Sequence, residues 1–168
     1  RSHIAIGKII ALSTLSLISG ICSFLGIILS LPKLVGGTGN ISATVYTASD
    51  YIMLLGIVLS SVLVIVALIS LISAFAKSVK EATNMIGPLM ILVVLLGVST
   101  MFTSGSAGAF FWYLIPLYNS ARAMSGIFSF AASPLNVIIT IASNLVVALL
   151  LAFALAKMFD NEKIMFNK

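Results

Sequence analysis

Long apolar runs dominate this chain, and its polar residues gather between them. Four runs stand out, at 4–31, 51–76, 86–103 and 135–156. Each holds roughly 18 to 28 residues, and a helix rising about 1.5 Å per residue needs about 20 to cross the hydrocarbon of a bilayer. The pattern predicts four transmembrane helices, the third barely long enough. A further apolar piece, 109–118, contains Pro116 and, at about ten residues, is too short to cross as a helix. Beyond it Leu117, Ala121, Met124, Phe128 and Ala131 recur at helical spacing, with Asn119 placed as an N-cap and Arg122 on another face. The stretch 109–131 is expected to be a helical hairpin, either re-entrant or interfacial, with Trp112 and Tyr113 as interfacial anchors. The expected fold class is all-α, a polytopic integral membrane protein forming one transmembrane domain over 1–168.

Composition agrees with this pattern. A chain that is 61% hydrophobic and 8% charged, with a mean hydropathy of +1.24, has too little polar surface for a soluble globule. The net charge of +5 raises the question of nucleic acid, but the basic residues are scattered and form no stripe, so no nucleic-acid partner is expected. Charge does orient the bundle. With four crossings, Arg1, Lys8, Lys77, Lys80, Lys157, Lys163 and Lys168 share one side, and only Lys33 and Arg122 the other. Basic residues accumulate on the cytoplasmic side, which predicts a cell-membrane protein with both ends of this chain in the cytoplasm. A fifth crossing at 109–118 would move Lys157, Lys163 and Lys168 across and erase the bias.

Within the spans, small polar residues recur on helix faces. Ser13, Ser16, Gly20, Ser23 and Ser30 line one side of the first helix, and Gly56, Ser60, Ala67, Ser70 and Ala74 one side of the second. Such stripes allow close helix packing or line a pathway. On the fourth span Asn136, Thr140, Ser143 and Asn144 share a side; in hydrocarbon that side needs a helix partner or water. No carboxylate falls mid-span, since Asp50, Glu81, Asp160 and Glu162 lie at ends or in connections. Ion-coupled carriers commonly place ionisable groups inside the bilayer, so another energy source, or none, is expected.

Enzyme chemistry finds little support. His3 is the sole histidine and stands far from any Cys, Asp or Glu, which gives neither a metal cluster nor a Ser-His-Asp arrangement. Gly7-Lys8-Ile9 lacks the earlier Gly and following Ser or Thr of a Walker A loop. No catalytic, cofactor-binding or metal-ligating residue is expected. Cys22, the single cysteine, lies within the first span and reads as a packing residue.

The stretch "FAKSVKEATNMIGPL", 75–89, breaks the apolar pattern. Wound as a helix it puts Phe75, Val79, Ala82 and Ile86 on one face and Lys77, Lys80, Glu81 and Asn84 on the other. Pro88 suits the first turn of a helix, so a sharp turn into the third span is expected there.

"FAKSVKEATNMIGPLMILV" resembles the intracellular turn of type-2 ABC exporter permeases, in particular the sodium-efflux, Nat-type branch. "RSHIAIGKIIA", "YLIPLYNSARAMSGIFS" and "ALAKMFDNEKIMF" resemble, in order, a cytoplasmic entry into a permease helix, the outer re-entrant region and the C-terminal tail. The resemblance implies a permease subunit exporting sodium or another small molecule. Two such chains would pair, driven by separate cytosolic ABC ATPase subunits that carry the ATP and Mg. It further implies that residues 76–85 form a coupling element with Lys77, Lys80, Glu81 and Asn84 as contacts. Family members begin with helices absent here, and the chain starts without Met, so it is expected to be the C-terminal portion of a longer permease. Two other classes stay open: an ion channel or ion-coupled carrier, and a non-transporting membrane subunit that holds a cytosolic partner.

Overall fold

In the computed structural model, which describes residues 2–35, 46–102 and 110–160, the chain is entirely helical. Its elements are α1 (Ser2–Val35), α2 (Ala48–Phe75), α3 (Val79–Phe102), a 3-10 turn (Phe110–Leu114), α4 (Tyr118–Phe128) and α5 (Pro134–Asp160). α1, α2, α3 and α5 are long and apolar enough to cross a membrane over Ile10–Ser30, Ala48–Phe75, Val79–Thr100 and Pro134–Met158. The protein is a polytopic membrane protein with a helical hairpin between its third and fourth spans. The lysine side of the bundle carries the start of α1, the α2–α3 turn and the end of α5. The 36–45 connection, with Lys33 just before it, and the tail with Lys163 and Lys168 lie outside the residues whose side chains are described.

Helix ends follow local chemistry. The Thr47 N–H donates to the Asp50 carboxylate at 2.8 Å, which places an acid in the first turn of α2 where the helix dipole favours it. α5 opens on Ser133-Pro134: the Ser133 carbonyl accepts from Val137, and proline at the first helical position surrenders no bond. α4 ends in a Schellman cap, with Phe130 N–H bonded to Ile127 O and Ala131 N–H to Gly126 O. Phe130 stands at φ 57 where glycine is usual. Its ring is held by Tyr46, stacked 5.0 Å away.

α3 corrects one expectation. It starts at Val79 and runs through Gly87-Pro88 without a break, so there is no separate amphipathic helix and no turn at Pro88. The reversal is made instead by Ala76, Lys77 and Ser78, with Ala76 extended at φ −70, ψ 135. The third span thereby gains a full length of 22 residues.

α2 and α5 form the central seam and run parallel, pairing Gly56 with Ile141 and Ser60 with Asn144. Gly56 permits this approach, because a Cβ there would stand 2.8 Å from the Ile141 Cδ1. α1 packs antiparallel on α2, with Gly20 against Leu59 and Val62. The core joins Leu54 and Ile57 of α2, Ala123 and Ile127 of α4 and Val137 of α5, all buried. α3 stays at the margin with Met90, Ile91, Leu92, Val94 and Leu95 exposed, the surface expected of a helix that meets lipid.

Candidate functional site

The hairpin enters the bundle as a re-entrant element; it is not an interfacial one. Asn144 lies about ten residues into α5, roughly 15 Å from its start and near the middle of a hydrocarbon layer about 30 Å thick. Ser60 lies at a similar depth in α2, and the tip of the hairpin meets both. α4 then returns to the level of Tyr46, whose hydroxyl donates to the Phe128 carbonyl. Its eleven residues cover about 16 Å, close to the roughly 20 Å of α2 between Thr47 and Ser60.

Trp112 and Tyr113 therefore lie on the descending limb near the tip. The Tyr113 carbonyl accepts from the Asn119 side-chain amide at 3.1 Å, and the Trp112 ring lies 5.5 Å from that of Tyr118. The Arg122 guanidinium sits 5.6 Å from the centre of the Tyr113 ring, a cation–π position. Pro116 is half-buried at the turn. The helix cap here is Leu117, at φ 70, ψ −48, and Asn119, expected to cap, lies fully buried inside the first turn. The buried face of α4 also differs from the expected one. It is Tyr118, Asn119, Ser120, Ala123 and Ile127; Met124 of the expected face packs against the core, whereas Phe128 and Ala131 are exposed, because the polar start of the helix has polar partners on α5.

Those partners make a buried node. The Asn144 amide nitrogen donates to Ser120 Oγ at 2.7 Å and to Ser60 Oγ at 3.2 Å. Ser120 donates to Asn119 Oδ1 at 3.2 Å, Asn119 passes the chain to Tyr113, and Ser60 donates to the Ile57 carbonyl. Asn119, Thr140 and Asn144 are all 0% exposed. Ser143, the next residue round α5, donates to the Leu114 carbonyl at 3.0 Å. Irregular backbone at this depth needs protein partners, and Ser143 and Asn119 supply them. Asn136, nearer the start of α5, is half-buried.

Just below the node, towards the lysine side, lies an apolar cavity of about 250 Å³ between α1, α2 and α5. Leu63 and Leu145, each next to the node, line its upper part, and Ser13, Ala67, Ser70 and Leu155 line the rest. The small-residue stripes thus do two things. Gly20 and Gly56 bring helices together, whereas Ser13, Ala67 and Ser70 border open space. Ser16 is buried and bonds the Ser13 carbonyl of its own helix; Ser23 and Ser30, further along α1, are exposed. Cys22 is exposed, a correction to its expected packing role: it points away from α2.

On the lysine side, the α2–α3 turn shows what the pattern 77–81 builds. Ser78 caps α3 by accepting the Glu81 N–H at 3.2 Å, and the Glu81 carboxylate reaches back to the Lys77 N–H at 2.8 Å. This is a variant of the capping box, Ser-x-x-Glu, and the sequence carried that signal openly. Glu81 shapes the turn, while Lys77, Lys80 and Asn84 are exposed on it. Phe75 and Val79 are exposed as well, at 56% and 85%, so the apolar side of the turn is not buried within the chain. Replacing Ser78 with Ala should cost about 1 kcal/mol and fray the first turn of α3. Faster backbone hydrogen exchange at Lys80 and Glu81, with Ile57 unaffected, is the expected readout.

Among the described residues no group of three or more His, Cys, Asp or Glu comes together. Comparison with protein-family models, with curated proteins and with solved structures finds no match to this chain.

Proposed function

We propose that this chain is a membrane permease subunit that exports a small solute and is driven by a separate cytosolic ABC ATPase. The observation that carries the reading is the vertical order of the bundle: a re-entrant hairpin reaching mid-depth, a buried polar node at its tip, and a cavity between node and lysine side. Pathways through membrane proteins are built where broken helices meet at mid-depth. The turn at 76–81 supports an external motor, since a rigidly capped reversal presents Lys77, Lys80 and Asn84 together with uncovered Phe75 and Val79. Basic residues on that side favour the cytoplasm. Pairing of two chains, export of sodium, and ATP with Mg on the partner belong to the same reading and rest on the resemblance in 75–93.

The test is reconstitution of the longest natural form of the chain in proteoliposomes with a co-expressed ATPase subunit encoded beside it. ATP-dependent solute movement that needs both proteins is the expected result. Flux without any ATPase would identify a passive channel instead, and a stable complex with no flux a docking subunit.

A further inference from the structure

The node leaves two oxygens unpaired. Thr140 Oγ1 and Asn144 Oδ1 are sealed inside the protein, and neither has a hydrogen-bond partner. They lie one turn apart on the same face of α5, at a depth where lipid offers no substitute. The first turn of α4 abuts Asn144, whose side-chain amide donates to Ser120 Oγ at 2.7 Å. Immediately before that turn stands Leu117 at φ 70, ψ −48, near the strained γ-turn geometry that side-chain-bearing residues rarely adopt. An underpaired interface and a strained joint thus meet on one short element. Both favour an arrangement in which the tip of the hairpin draws back, since this relaxes Leu117 and lets the two oxygens find partners.

The geometry points to a hydrogen-bonding site at the centre of the bilayer, built from Ser60, Thr140 and Asn144 with Asn119 and Ser120 as its lid. Its guest is a small neutral molecule that both donates and accepts, because Thr140 offers a hydroxyl and Asn144 a carbonyl oxygen. Among the described residues the carboxylates of Asp50 and Glu81 lie at helix starts, far from this depth, so neither is at hand to balance a bound cation. The Asn144 carbonyl oxygen disfavours an anion. Water is the guest that the surroundings always supply. The site is independent of any ATPase and stands or falls without it.

Solvent exchange of the Asn144 side-chain amide, followed by solid-state NMR on the whole chain in lipid bilayers, tests this with water as the probe. Relative to their intrinsic rates, the Asn144 amide protons should exchange about tenfold or more faster than the backbone amide of Ile57. Thr140→Val keeps the shape, removes one unpaired hydroxyl and favours the closed tip. It should slow Asn144 exchange about tenfold and raise the Tm; Thr140→Ser should leave exchange as in the native chain. Asn144 protected as strongly as Ile57 would overturn the site. So would a Thr140→Val protein whose exchange is unchanged or whose Tm is unchanged or lowered.

Discussion

Reversing charge at Lys77 and Lys80 together should weaken capture of the proposed cytosolic ATPase by about 100-fold while leaving the fold intact. Both side chains are exposed at the α2–α3 turn and neither belongs to its capping bonds, which are made by Ser78, Glu81 and the Lys77 backbone. The double substitution Lys77→Glu, Lys80→Glu exchanges two positive charges for two negative ones, and like charges facing each other across an interface cost several kcal/mol. Pull-down from detergent and the salt dependence of binding measure the effect. A double mutant that binds as tightly as the parent would remove the turn from the proposed interface. One that still binds but no longer moves solute would make it a transmitter of force and not an anchor.

Replacing Asn144 with Leu should destabilise the bundle by about 1 to 3 kcal/mol and loosen the hairpin from α5. The native amide donates to Ser60 and Ser120 at once. Its loss removes the bond that each hydroxyl oxygen accepts and leaves only those they donate to Ile57 O and Asn119 Oδ1, at a depth where interhelical hydrogen bonds in membranes contribute about 0.6 kcal/mol each on average and up to about 1.7. The leucine must also fit a space that is now filled by a smaller amide. Unfolding in a denaturing detergent series measures the loss. Exchange should rise at the backbone amides of Ser120 to Ala123 first, because α4 is held to α5 through this contact. An Asn144→Leu chain as stable as the parent would mean that the node contributes nothing to assembly.

Much of the architecture could be read from run lengths alone. The four spans and the hairpin follow from comparing apolar stretches with bilayer thickness. The apolar pattern misplaces the start of the third helix, because Gly87-Pro88 has the form of a helix beginning. Ser78 and Glu81, spaced three apart, were the stronger signal, and proline inside a membrane helix is tolerated. The site was legible by halves. Thr140 and Asn144 stood out as amide and hydroxyl in an apolar helix, and Ser60 lay in a small-residue stripe. Asn119 and Ser120 did not, since polar residues beside a helix start read as caps facing solvent, and only the tertiary fold turns them inward. The backbone geometry of Leu117 has no counterpart in residue type at all, because leucine rarely adopts it.

The parallel seam of α2 and α5 has a consequence for how the protein is made. Ser60 and Asn144 are 84 residues apart in the chain, so at about 5 to 20 residues per second the ribosome needs roughly 4 to 17 s after completing one to deliver the other. During that interval α2 leaves the insertion machinery without its principal neighbour, and the descending limb after α3 has nothing to dock against. Assembly is therefore gated by the last helix to emerge, and nascent chains arrested before α5 should be prime targets for membrane quality-control proteases.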